Sequence, residues 1–163
     1  MEIRQMKREE ADDISLIYVL SWKAAYKGIV PQTYLDQLSQ QRWSSLLAEN
    51  PSKSFVLLDN GQYIGTSTVS PARDEEMAGW GEIISIYLLP QHFGKGYGKI
   101  LLNFCINELK NAGFSCIYLW THEKNNRARA FYEKSGFSHD GQKITCDIGG
   151  ENLTEMRYVY IIE

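Results

Sequence analysis

Residues 81–110 read GEIISIYLLP-QHFGKGYGKI-LLNFCINELK, and the rest of the chain can be read outward from them. Ile83, Ile84, Ile86, Tyr87, Leu88 and Leu89 form a short run that is apolar on both faces and is stopped by Pro90, the pattern of a central strand covered on both sides. Leu101, Cys105 and Leu109 recur at helical spacing, flanked by Leu102, Phe104 and Ile106, with Asn103, Asn107 and Lys110 left for solvent. This predicts an amphipathic helix whose broad apolar stripe packs on the sheet.

Between strand and helix stand Gly94, Gly96 and Gly98. The first N–H groups of a helix have no intrahelical acceptor, and its start carries partial positive charge. With Lys95 and Lys99 nearby, the amides from Phe93 through Tyr97 to Lys99 suit a pyrophosphate better than a single carboxylate. The loop is not a Walker A sequence, because Ile100 follows Gly98-Lys99 and Phe93 stands where the first glycine belongs. As a dinucleotide fingerprint it places its third glycine one residue early.

The pattern Gln91-x-x-Gly94-x-Gly96 resembles the pyrophosphate loop of the GCN5-related N-acetyltransferases. A second block, Asn125-x-Arg127-Ala128-x-x-Phe131-Tyr132-Glu133-Lys134-x-Gly136-Phe137, is similar to the downstream motif of that family. The resemblance implies an α/β (α+β) fold: a mixed, mostly antiparallel sheet of six or seven strands, helices on both faces, and a V-shaped gap between strands four and five. It implies acetyl-CoA as co-substrate and no metal. The loop including Gln91 and Gly94 to Lys99 would grip the pyrophosphate. The backbone of Ile86, Tyr87 and Leu88 would pair with the pantetheine arm where the strand bulges, Asn125 and Ala128 would hold that arm, and Tyr132 would hydrogen-bond the cofactor sulfur and protonate it. The expected reaction is transfer of an acetyl group to a primary amine of a small molecule by direct attack in a ternary complex. A protein N-terminus or lysine as acceptor, and a non-catalytic acetyl-CoA sensor, are the alternatives.

Composition agrees with one globular domain over residues 1–163. Hydrophobic residues make up 44% and charged residues 23%, ordinary values for a compact fold. The formal net charge of -3 points away from nucleic acid and toward a cationic substrate. Cys105, Cys116 and Cys146 lack metal-ligand spacing and read as reduced thiols, and His92, His122 and His139 show no ligand spacing either. No signal peptide and no apolar run of membrane-spanning length is present, so no membrane partner and a cytoplasmic location are expected. Oligomeric state is left open, with a homodimer allowed.

In chain order, Met1 to Met6 predicts a first strand and Arg8 to Lys27 a helix opened by Glu9, Glu10, Asp12 and Asp13, with Ile14, Ile17, Leu20 and Ala24 as its buried stripe. Trp22 and Tyr26 share a face at its end, where they either pack the core or wall a substrate pocket. Pro31 begins a second helical region with Leu35, Leu38, Trp43, Leu46 and Leu47 on its apolar side. Asn60-Gly61 between apolar runs predicts a hairpin, and Pro71 to Ala78 a solvated connection. Ser115 to Thr121 reads as a fifth strand parallel to the fourth. A helix from Asn125 to Ser135 and a final hairpin turning at Gly149-Gly150 complete the chain.

Amines are largely protonated at neutral pH, so a base assists attack. Glu82, six residues before Leu88, is the candidate base and a candidate acceptor contact.

Overall fold

The computed structural model describes residues 1–163. Its seven strands form one sheet in the order β1-β2-β3-β4-β5-β7-β6. The strands are β1 (Glu2–Gln5), β2 (Ser54–Asp59), β3 (Gln62–Pro71), β4 (Gly81–Leu88), β5 (Cys116–His122), β6 (Ser138–Ile148) and β7 (Glu151–Ile161). All neighbours are antiparallel except β4 and β5. The helices are α1 (Ala11–Ala25), α2 (Gln32–Asp36), α3 (Ser44–Glu49), α4 (Tyr97–Asn111) and α5 (Asn126–Lys134).

Strand alternation decides which helix covers which face. Phe55, Val69, Ile83, Ile117 and Leu119 pack with Leu102, Cys105 and Leu109 of α4. Val56 and Leu58, pointing the other way, pack with Ile14, Ile17 and Tyr18 of α1. The buried side of α1 departs from the expected stripe. Leu20 is 38% exposed and Ala24 is exposed, whereas Tyr18 and Ser21 are buried. The Tyr18 hydroxyl lies 2.7 Å from Ser85 Oγ and 3.0 Å from Thr68 Oγ1, so polar residues reach the sheet where periodicity of apolar residues alone selected Leu20. Leu46, assigned to an apolar side, is 63% exposed because the second helical region is two short helices and not one.

The hairpin forms as its turn chemistry requires. Asn60 and Gly61 have φ of 48° and 76°, the pair of positive values that Asn-Gly accommodates and that matches strand twist.

β1 is fastened to the entry of α1 by Glu10, whose carboxylate accepts from Arg4 at 2.6 and 3.0 Å, Tyr63 Oη at 2.6 Å and Lys7 N at 2.7 Å. The Arg4 hydrogen bonds, against the opposing effect of burial, hold Glu10 down to about 2. A carboxyl lowered on folding stabilises the fold above its unfolded value and loses that contribution as pH falls through its folded value. Wild-type protein should therefore lose stability between about pH 4.5 and about pH 2, and Glu10→Gln should show a shallower loss there. Melting temperatures of both proteins across that window check this, and identical slopes would contradict it.

The feature that positions the site is where β4 and β5 part. They pair only at Gly81↔Ile117 and Glu82↔Tyr118, after which β4 follows β3 to Leu88 and β5 follows β7 to His122. The β3–β4 register shifts between Thr68↔Ser85 and Val69↔Ile83, leaving Ile84 as an extra residue. Such a bulge bends and twists its strand, here just above the vertex of the V and two residues before Ile86.

Candidate active site

A cavity of about 380 Å³ fills the opening between β4 and β5, lined along β4 from Ile83 to Leu88, along the loop by Phe93, Gly94, Gly96, Gly98 and Lys99, and on the far side by Trp120, Thr121, Asn125, Ala128 and Tyr132. Leu89 N donates to Ile64 O at 2.9 Å, which fixes the phase of the antiparallel ladder. By alternation Tyr87 faces Thr66 with its N–H and C=O, while those of Ile86 and Leu88 point into the gap. The three backbone candidates thus divide: Ile86 and Leu88 offer main-chain groups and Tyr87 contributes its side of the wall.

At the head of the gap the loop turns through Gly94 at φ 73° and Gly96 at φ 87°, a left-handed region costly to any residue with a Cβ. Gly96 is the N-cap of α4 and gives no side-chain cap. Phe93 N–H bonds Pro90 O and Lys99 N–H bonds Gly96 O. The five amides from residue 94 to residue 98 donate to no protein acceptor, an exposed row of donors at the start of a fifteen-residue helix. Gln91, on the turn Pro90–His92, and Lys95 are exposed and do not line the cavity. Tyr97 turns away, donating to Asp59 Oδ2 at 3.2 Å.

Arg127 joins this head group although it was not selected as a candidate. Its guanidinium lies 3.8 Å from the centre of the Phe93 ring and lines the cavity. The residue is exposed overall, partial desolvation lowers its pKa, and none of the six ion pairs of the protein uses it. Its place in the first turn of a helix that faces the glycine loop was the signal available in the sequence.

Asn125 is 9% exposed and caps α5, its Oδ1 accepting from Ala128 N at 3.2 Å. The cap leaves the Asn125 NH₂ as a donor at the cavity and the Ala128 methyl as a wall. One turn on, Tyr132 presents a hydroxyl with no protein hydrogen-bond partner to the cavity, and burial, reinforced by Tyr26 and Cys105, pushes its pKa well above the ordinary phenol value. Phe131 both packs on the core and lines the cavity.

Tyr26 and Trp22 pack with ring centroids 4.7 Å apart and planes tilted by 56° but do different things. Tyr26 lines the cavity, and burial first, then the charge of Glu155, pushes its phenol up to about 12. Trp22 sits behind it and donates from Nε1 to Tyr87 Oη at 3.1 Å.

Glu82 lies at the vertex and does not line the cavity. It is 2% exposed, and its carboxylate accepts from Arg73 N at 3.1 Å, Arg73 Nε at 3.0 Å, Arg73 Nη2 at 2.6 Å and Tyr118 Oη at 2.9 Å. Burial alone would raise its pKa; the bonds from Arg73 and Tyr118 outweigh burial and lower it. The connection Pro71 to Ala78 therefore supplies the cation that the expected base is bonded to. Although Glu82 precedes Ile83 of the cavity lining, none of the hydrogen bonds of its carboxylate comes from a lining residue.

No group of three or more His, Cys, Asp and Glu side chains is placed to hold a metal ion, and no helix is long and apolar enough to cross a membrane. Cys105 is buried, which pushes its thiol up to about 12, while Cys116 and Cys146 are half-buried, and all three are free.

Four likenesses to known proteins bear on this geometry. A spermidine N(1)-acetyltransferase from Thermoplasma acidophilum is 25% identical over 162 residues, covering 97% of this chain and 98% of its own. A [ribosomal protein bS18]-alanine N-acetyltransferase from Haemophilus influenzae is 37% identical over 100 residues, 59% of this chain and 64% of its own. The crystal structure of PaiA N-acetyltransferase from Thermoplasma acidophilum, in complex with coenzyme A, superposes with a TM-score of 0.74 at 23% identity over 94% of this chain and 96% of that one, a likeness of fold. The sequence profile described as the acetyltransferase (GNAT) family matches residues 16–137, a span that holds the last two-thirds of α1, the splayed strands, the amide loop and the helix bearing Tyr132, and on that match the chain belongs to the GNAT family of acetyltransferases.

Proposed function

We propose that the gap between β4 and β5 binds acetyl-CoA and that this chain transfers the acetyl group to a primary amine of a small cationic molecule. The observation that carries the reading is the row of five unpartnered amides at residues 94–98, continuous with the unpaired edge of β4. That row fits a pyrophosphate, with Lys99 and Arg127 adding charge. The N–H and C=O groups of Ile86 and Leu88, with the Asn125 amide, fit the amide-bearing arm of coenzyme A. When bound, the thioester supplies the acyl group and a thiolate leaving group. Tyr132 keeps its proton through neutral pH and donates a hydrogen bond at the sulfur position. Its raised pKa favours that donation over outright proton transfer.

For the acceptor, the spermidine enzyme supports a small amine, because that likeness runs over nearly the whole chain and includes the α1 side of the gap. A protein N-terminus is the second reading, supported by the higher identity of the ribosomal-protein enzyme over a shorter stretch. A panel of polyamines, amino acids, aminoglycosides and short peptides, scored by thiol release and by mass of the acetylated product, separates them. Turnover of peptides alone would end the small-amine reading.

Glu82 fits a positioning role in this reading, holding the vertex closed through Arg73 and Tyr118. Glu82→Gln should lower stability by about 1–2 kcal/mol and shift kcat without removing the ascending limb of the pH–rate profile. Loss of that limb in the variant would show that Glu82 is the base.

A further inference from the structure

The carboxylate of Glu155 is half-buried and, like those of Asp74 and Glu108, takes part in no ion pair. Glu10 is paired with Arg4, Glu82 with Arg73, and Asp140 with Arg157. Glu155 has no ion-pair partner within 4.0 Å, and its one side-chain hydrogen bond comes from Cys146, whose Sγ lies 4.0 Å from Oε2. A buried or half-buried carboxylate without a cation is unfavourable and is retained at the expense of stability.

Its position says what it faces. Ile117 and Leu119 of β5 pack beneath α4, so Tyr118, Trp120 and His122 point to the opposite face, the one that carries α1. Glu155 is the direct cross-strand partner of His122 and shares that face. His122 does not neutralise it: Nδ1 accepts from Lys124 N at 3.1 Å, burial lowers the imidazole pKa, and Nε2 is a buried polar atom without a hydrogen-bond partner, in a residue 2% exposed. Arg73 is the other charge that acts on Glu155, and its guanidinium is bonded to Glu82. Tyr26, a wall of the cavity, meets His122 edge to face with ring centroids 6.4 Å apart. The uncompensated carboxylate and the unpartnered imidazole are therefore neighbours beside Tyr26, and neither lines the cavity itself.

We propose that Glu155 is the anionic subsite for the acceptor, receiving a second positively charged nitrogen of the same molecule whose primary amine is acetylated, so that the substrate class is a diamine or polyamine. This rests on the small-amine reading above. An ammonium ion suits the site because it supplies the missing counter-charge.

The test compares wild type, Glu155→Gln and Glu155→Asp on putrescine and on n-butylamine, which has the same carbon chain and one nitrogen. Glu155→Gln should lose about tenfold to a hundredfold in kcat/KM on putrescine, through KM, and its loss on n-butylamine should be at least about tenfold smaller. Glu155→Asp should fall between. A binding readout is independent of turnover: putrescine should raise the melting temperature of wild type and not of Glu155→Gln. The glutamine variant should itself melt no lower than wild type, since it removes an unpaired charge. Equal losses on the two amines, or equal thermal shifts in the two proteins, overturn the proposal. If no amine is acetylated and putrescine still stabilises wild type alone, the small-amine reading fails and the subsite stands. If amines are acetylated and the variant matches wild type on putrescine, the reading stands and the subsite fails.

Discussion

Gly96→Asp is expected to abolish coenzyme A binding, weakening it by about a thousandfold or more, which corresponds to about 4 kcal/mol. Two effects add. Gly96 sits at φ 87°, where a residue with a Cβ costs about 1–2 kcal/mol and the strain is relieved by moving the very amides that form the donor row. The aspartate also brings a negative charge beside the phosphate position, and like unit charges about 4 Å apart near a surface repel by about 4 kcal/mol. A Cβ at Gly96 meets nothing within 4 Å, and the residue is exposed, so the fold itself should survive with a modest fall in melting temperature. Gly96→Ala carries the strain without the charge and should lose far less affinity, so the difference between the two variants isolates the electrostatic part. Calorimetric titration with coenzyme A provides both values, and wild-type affinity in Gly96→Asp would remove the loop from the cofactor site.

Tyr132→Phe is expected to separate binding from chemistry. The hydroxyl has no partner in the protein, so its removal breaks no native hydrogen bond and leaves the packing of the ring on the core intact. Coenzyme A affinity should stay within about threefold of wild type, while kcat should fall by about tenfold to a hundredfold, the range for loss of a single hydrogen bond or proton donor in a transition state. Because burial, Tyr26 and Cys105 raise the Tyr132 pKa, no limb of the pH–rate profile near neutrality should belong to it. A fall in kcat and kcat/KM together with unchanged binding identifies an interaction made in the transition state. Unchanged kcat would end this role for Tyr132 and leave acetyl-CoA binding unaffected as a conclusion.

Much of the fold was legible where local chemistry decides it. The strand, glycine turn and helix of residues 81–110 follow from a two-faced apolar run, a proline and helical spacing, and β4, the loop and α4 lie there. Asn60-Gly61 selects its turn, and Asn125 sits where a helix cap belongs. What could not be read depends on partners distant in sequence. The bulge at Ile84 is a property of the β3–β4 register. The bonding of Glu82 comes from Arg73, in a segment whose sequence reads as a plain solvated loop. The buried side of α1 was misassigned at Leu20 and Ala24 because Tyr18 and Ser21, polar in composition, are the ones that meet Ser85 and the cavity. Glu155 gave no signal at all, since one acidic residue in a strand of alternating character looks like an exposed charge until its neighbours are known.

The account stands or falls on acetyl transfer by direct attack within a ternary complex. The measurement that tests it most directly is the initial rate of thiol release by purified wild-type protein with acetyl-CoA and a diamine varied together. Intersecting double-reciprocal lines, with N-acetylated product formed in step with free thiol, are the predicted result. Parallel lines, or thiol release that does not depend on the amine, would contradict it.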